Sequence, residues 1–171
     1  ITLNDKVTGT TGYNVNITGS GTVNLYNQLE NADVSATGAT VNMSDNKNTT
    51  YLVNSLTSNA SAKYAIDVDM ENKTSDKIVT TQASSGVVTI ESINYITSNS
   101  EKQTFQILET QNDSIQLAIG DALASQVVED KLSKLTDTVT NTDDFDQSAG
   151  IMLSTTNTTN DSITIQKAQD Y

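Results

Sequence analysis

The residues best suited to chemistry are the carboxylates of the segment DVDMEN, which spans residues 67–72. Asp67, Asp69 and Glu71 alternate along this segment, so in a strand they would share one face. Oxygen ligands of this kind suit calcium. The sequence after Glu71 nevertheless lacks the glycine turn of an EF-hand loop. We therefore expect an outward acidic row that aids solubility, with no bound metal or cofactor, and the alternative is a calcium site at Asp67, Asp69 and Glu71.

Missing residue types exclude two common arrangements of catalytic nucleophiles. The chain contains no His, Cys or Arg, which rules out a Ser-His-Asp triad and a cysteine nucleophile. Polysaccharide lyases commonly rely on Arg as well. Asp67 and Asp69 are compatible with a glycosidase that uses two carboxylates. The residues around them in the sequence, however, do not predict an apolar pocket that would raise the pKa of either carboxyl group. We expect no enzyme activity from this chain.

Charge and composition narrow the possible partners. The net charge is −12, whereas nucleic-acid binding depends on Lys and Arg that displace counterions from phosphates. The same charge disfavours anionic membrane surfaces, and no apolar run approaches the roughly 18 residues of a membrane-spanning helix. Apolar residues make up 35% of the chain, below the usual fraction of about 45–50%. A thin, elongated fold with a narrow core is favoured.

Short strands are predicted for the first third of the chain. Up to about Ser58 the apolar residues come in pairs separated by one polar residue, which is typical of a strand with one buried face. The pattern Val-Asn-apolar occurs three times, at Val15-Asn16-Ile17, Val23-Asn24-Leu25 and Val41-Asn42-Met43. Asn16, Asn24 and Asn42 are accordingly predicted to point outward, and they are the candidate residues of an adhesive face.

The spacing of these strands predicts a solenoid. Aligned apolar residues recur at nearly constant intervals, in the series Leu3, Val23, Val41 and the series Val15, Val34, Val53. A period of roughly 18–20 residues is typical of a chain whose coils stack and bury a shared core. The alternative is a β-sandwich, but its strands are usually longer and no Asn-Gly or Asp-Gly hairpin turn occurs.

The second half of the chain continues the pattern with one interruption. Longer alternating strands are predicted up to Ile119, followed by one short helix near 121–135 whose alternative is two weak strands. Asp143, Asp144 and Asp146 then form an acidic loop without metal-site geometry. The strand ladder is predicted to resume at Ile151, Leu153, Ile163 and Ile165. Residues 1–171 are thus predicted to form a single β-solenoid segment.

One segment resembles a known family. Residues 64–96, YAIDVDMENKTSDKIVTTQASSGVVTIESINYI, resemble a unit in the passenger regions of bacterial autotransporter adhesins, and GTVNL and ATVNM are similar to their β-helical rungs. The resemblance implies an all-β fold, a right-handed parallel β-helix, in a fragment of a longer protein. It also implies an extracellular position at the bacterial cell surface, with anchorage in the outer membrane through a C-terminal barrel that this segment lacks.

The resemblance and the composition together predict a non-enzymatic role. We expect the segment to act as a stalk and in adhesion or self-association, with a host or bacterial surface ligand or a second copy as its partner. We expect no nucleic-acid partner and no direct membrane insertion. Two alternatives are a fragment of a polysaccharide-active β-helix enzyme and a β-sandwich adhesin module.

Overall fold

The computed structural model describes residues 1–112, 114–124, 151–158 and 160–167. These residues are almost entirely β-strand, with one short helix, α1, at Asp121–Ala124. The strands are β1 Thr2–Leu3, β2 Val7–Ile17, β3 Thr22–Leu25, β4 Leu29–Ala36, β5 Thr40–Asn42, β6 Thr50–Val53, β7 Ser55–Ser58, β8 Lys63–Asp69, β9 Thr74–Ser75, β10 Lys77–Thr80, β11 Ser85–Thr97, β12 Gln103–Glu109, β13 Ile115–Ile119, β14 Ile151–Thr156 and β15 Asn160–Lys167.

Strands of successive turns stack in three rows. Row A contains β2, β4, β7, the start of β11 and β13, and row B contains β1, β3, β5, β8 and the rest of β11. Row C begins with β6, β10 and β12. All of these pairings are parallel, so the chain forms a β-solenoid of about four turns. The predicted parallel β-solenoid is confirmed, and the antiparallel β-sandwich is excluded.

The coils differ in length along the solenoid. Val23 pairs with Val41 as predicted, but Leu3 pairs with Leu25 rather than with Val23. The interval between paired residues is much longer in row C, where Ile78 of β10 pairs with Leu108 of β12. The first coils are short because the chain passes directly from row B to row A, whereas later coils add a row C strand.

The same widening shifts one predicted alignment. Val15 pairs with Val34 as predicted. Val34, however, pairs with Leu56 and not with Val53. Val53 belongs to the first row C strand, which the early coils do not contain, and a constant period therefore assigns it to the wrong row.

The last two strands form an antiparallel hairpin. β15 pairs antiparallel with β12, and β14 pairs antiparallel with β15. The predicted continuation of the parallel ladder at Ile151, Leu153, Ile163 and Ile165 is therefore wrong in strand direction, although all four residues lie in strands. The helix predicted near 121–135 begins as α1, and the part after residue 124 lies outside the described residues.

A continuous apolar core lies between the rows. Its largest fully buried side chains are Tyr51, Tyr64, Met43, Ile66, Met70, Ile90, Ile107, Leu108, Ile115, Leu117, Leu123 and Ile163. Each large apolar side chain contributes roughly 1.5–3 kcal/mol when fully buried. The Tyr51 hydroxyl lies inside this core and donates to the Leu25 carbonyl at 2.8 Å, so burial leaves this polar group with a partner.

The start of β11 requires glycine. Gly86 has a φ of 100°, a region that other residues rarely adopt. A Cβ at this position would overlap the Ser58 carbonyl oxygen of the preceding coil. Glycine thus permits the close stacking of β11 on β7 in row A.

Candidate functional site

Part of the predicted acidic row lies under a loop of the preceding coil. Asp67 and Asp69 are at the end of β8, with exposed fractions of 0% and 7%, while Glu71 is exposed in the following turn. Ser44, Asp45 and Lys47, in the segment that joins β5 to β6, donate hydrogen bonds to Asp67. The three carboxylates therefore do not form the open row that their alternation predicts.

Asp67 holds the loop between β5 and β6. Its Oδ2 accepts the backbone N–H groups of Asp45 at 2.8 Å and Lys47 at 3.3 Å. Its Oδ1 accepts the Ser44 hydroxyl at 3.1 Å and the side-chain amide of Asn94 at 2.6 Å. These four donors occupy both carboxylate oxygens, and they come from the coils on either side of Asp67.

Asp76 is a second fully buried carboxyl group. It accepts the backbone N–H of Thr49 and that of Asp67, each at 2.8 Å. Burial raises the pKa of Asp76 to about 7, and the charges of Asp67 and Asp45 raise it too, whereas the two backbone hydrogen bonds oppose this rise. Near neutral pH this group is therefore poised between its protonated and ionised forms.

Asp45, Asp67 and Asp76 together form what we call the carboxylate cluster. Burial, with the nearby charge of Asp67, raises the pKa of Asp45. The ion pairs seen among the described residues are Lys6–Glu30, Lys63–Glu91 and Lys77–Glu109, and none of them includes a cluster member. Backbone N–H dipoles and neutral side chains thus provide the contacts to the cluster, whose main effect is to fix one loop.

Asp69 stabilises the turn that follows β8. Its carboxylate accepts the backbone N–H of Asn72 at 3.0 Å and the Asn72 side-chain amide at 2.7 Å. It also accepts the Thr97 hydroxyl from the next coil. The Asn72 side-chain amide, followed by the Thr97 hydroxyl, lowers the pKa of Asp69, since both hydrogen bonds favour the ionised form.

The acidic residues do not assemble into a metal centre in the part of the chain that the structure describes. No three His, Cys, Asp or Glu side chains there form a group that could hold a metal ion. Asp143, Asp144 and Asp146 lie outside the described residues. The expectation that no calcium is bound stays a prediction.

Two of the candidate adhesive residues use their amides within the molecule. Asn24 and Asn42 are in register in row B, and Asn42 Nδ2 donates to Asn24 Oδ1 at 2.9 Å. Asn24 Nδ2 in turn donates to the Thr2 hydroxyl at 3.0 Å, and Asn42 also donates to the Tyr26 hydroxyl at 3.2 Å. These bonds join three coils and leave few amide groups for a partner.

Asn16 belongs to a different polar row on the outside of row A. Asn16, Ser35, Thr57 and Ser85 pair in succession across four strands, and we call them the row A polar column. Ser35 is half-buried and the other three are exposed. None of the four side chains hydrogen-bonds another residue that the structure describes. They consequently offer donors and acceptors to solvent or to a second molecule.

Sequence reasoning missed the roles of Asp45 and Asn94. They lie 22 and 27 residues from Asp67 along the chain, yet both contact it. Each interval is the length of one coil at that point. A search for polar residues one coil apart would find them only if the change in coil length were already known.

Comparisons of the chain with protein-family models, with curated proteins and with solved structures found no match. In the described part of the chain, no helix has the length and apolar character needed to cross a membrane.

Proposed function

We propose that this chain is a non-enzymatic segment of a bacterial adhesin exposed at the cell surface, where the solenoid is a stalk that self-associates. The observation that carries this proposal is the row A polar column. Its members are in register on stacked coils, and their side chains make no hydrogen bond to another described residue. A surface of this kind suits lateral contact with a copy of itself.

The spacing of the column explains why a second copy is a fitting partner. Neighbouring strands lie about 4.8 Å apart, so two identical columns share the same repeat and their groups stay in step. Hydroxyl and amide groups act as both donors and acceptors, so the same residue on two copies can form a hydrogen bond with itself. Each hydrogen bond contributes only about 0.5–1.5 kcal/mol net, and several in one line are needed for a lasting contact.

The carboxylates support a non-enzymatic role over a polysaccharide-active enzyme. A glycosidase needs two carboxyl groups that flank the bond to be cleaved. Asp67 and Asp76 are fully buried, and backbone N–H groups bind the oxygens of both. Asp69 is likewise committed to the turn at Asn72. Their contacts fit the stabilisation of loops, which a stalk requires.

Cell clumping tests the proposal directly. The chain would be displayed on bacterial cells, and settling of the suspension would be followed by its optical density. We expect cells with the wild-type chain to settle, because columns on neighbouring cells pair. Ser35→Glu together with Thr57→Glu places like charges on the row A polar column, and we expect this variant to keep cells in suspension.

The matched control carries the same added charge on another row. Thr22 and Ser92 are exposed residues of row B, so Thr22→Glu with Ser92→Glu should settle like wild type. Equal settling of both variants and wild type would show that the row A polar column is not the contact surface. Wild-type cells that clump only with a host-cell surface, and never with each other, would instead indicate a host ligand.

A further inference from the structure

Among the residues that the structure describes, row C begins with a strand that has no neighbouring strand on one side. β6 is at one edge of the five-stranded sheet, because the earlier coils pass from row B to row A without a row C strand. A strand edge of this kind presents backbone N–H and C=O groups that can pair with another chain. The widening of the solenoid therefore places the backbone of β6 at the edge of a sheet.

The side chain of Gln28 lies along this edge. Its Nε2 donates to the Thr50 carbonyl at 2.5 Å, and its Oε1 accepts the backbone N–H of Leu52 at 2.9 Å. A residue opposite Tyr51 in a parallel ladder would donate to the carbonyl of residue 50 and accept from the N–H of residue 52. The Gln28 amide thus reproduces both hydrogen bonds of a missing strand residue.

We propose that Gln28 acts as a surrogate strand residue, which closes the β6 edge and prevents a strand of a second copy from pairing with it. Side chains next to the edge show what Gln28 protects. Leu52 has an exposed fraction of 49%, and it lines a groove together with Glu30, Asn31, Val53, Asn54 and Thr81. An exposed apolar side chain beside free backbone groups is a recognised aggregation hazard.

The backbone geometry next to Gln28 supports the same role. The N–H of Asn54 donates to the Ala32 carbonyl at 2.8 Å, so the strand rejoins the stack directly after β6. The gap in backbone pairing is therefore confined to β6, where one side-chain amide spans it. The occupant of an opened edge in a purified sample is a second copy, since no other chain is present.

The experiment separates this edge from the row A polar column. All proteins would carry Ser35→Glu and Thr57→Glu, so that the self-association of the proposed function does not contribute to the measured mass. Gln28→Ala in this background is compared with the background alone by sedimentation velocity over a range of concentrations. We expect the weight-average mass of the Gln28→Ala protein to at least double as concentration rises, while the background protein changes little.

Three further variants define the result. Gln116→Ala removes an exposed glutamine from β13 and should leave the mass unchanged. Leu52→Lys added to Gln28→Ala should restore the smaller mass, because a lysine on an edge strand opposes pairing. Gln28→Met keeps the side-chain length without the amide and replaces Gln28→Ala if the latter does not fold. A folded Gln28 variant with unchanged mass at every concentration overturns the proposal, whatever the clumping assay shows.

Discussion

Asp67 is the residue on which the loop between β5 and β6 most depends. Replacing it by alanine leaves the N–H group of Asp45 without an acceptor and removes one of two acceptors from the Lys47 N–H and from the Asn94 amide. Each hydrogen bond to a charged group contributes about 1.5–3 kcal/mol net, and the loss of several shared bonds adds to the loss at Asp45. On this basis we expect Asp67→Ala to lower the free energy of unfolding by about 3 kcal/mol, as measured by urea denaturation.

Glu71 supplies the control for this prediction. It is a carboxylate of the same segment but is exposed in the turn after β8, and exposed substitutions usually change stability by less than about 0.5 kcal/mol. We expect Glu71→Ala to unfold like wild type. Equal effects of the two substitutions would contradict the role of Asp67 as the anchor of the loop.

Asp76 makes stability depend on pH. Its pKa rises from the ordinary value of 3.8 to about 7 on folding, so the folded chain binds this proton more tightly than the unfolded chain. The stability that it contributes is full below pH 4 and is lost as pH rises towards 7. We expect the free energy of unfolding to fall over this window, with a slope of up to about 1.4 kcal/mol per pH unit.

Asp76→Asn isolates this contribution, since an asparagine does not titrate. Urea denaturation at several pH values between 4 and 7 should give a flatter dependence for the variant than for wild type. Asp69 acts in the opposite direction, because folding lowers its pKa. The stability that Asp69 contributes is lost only when the pH falls below the ordinary pKa of an aspartate, which is outside this window. The same slope in wild type and variant would show that Asp76 is not the titrating group.

At the scale of the elements, the stacking of β11 on β7 depends on one glycine. Gly86→Ala would place a Cβ against the Ser58 carbonyl oxygen at a φ of 100°. Backbone strain of this kind costs about 1–3 kcal/mol before any steric clash is added. We expect a loss of at least about 2 kcal/mol in the free energy of unfolding, measured by thermal or urea denaturation.

Gly21→Ala is the matched control, because no atom lies within 4 Å of a Cβ built there. We expect its stability to stay within about 1 kcal/mol of wild type. A Gly86→Ala protein as stable as the Gly21→Ala protein would mean that the rows can separate at this point without cost. The close stacking of β11 on β7 in row A would then contribute little to stability.

At the scale of the whole molecule, net charge limits association. Two chains that each carry −12 repel each other, and salt shortens the range of this repulsion from about 10 Å at 0.1 M to about 3 Å at 1 M. We expect the dissociation constant of wild-type self-association to fall several-fold over this range, as measured by sedimentation equilibrium. Association that weakens with salt would point instead to contacts between opposite charges.

The sequence alone determined that the chain is a parallel β-solenoid, because the alternation of apolar residues is local and its regular recurrence along the chain requires stacked coils. It also placed Val15 beside Val34 and Val23 beside Val41. These pairs fall in the early coils, where the period is nearly constant.

Only the tertiary structure decided which residues meet once the coils widen. The alternation of its strand predicts that Asp67 points outward, but the loop from the preceding coil covers it. No local sequence pattern predicts this contact between coils. The parallel or antiparallel direction of the last strands likewise depends on β12, far away in sequence. Coil length is set by turns that bear no periodic signal, and each contact between coils depends on it.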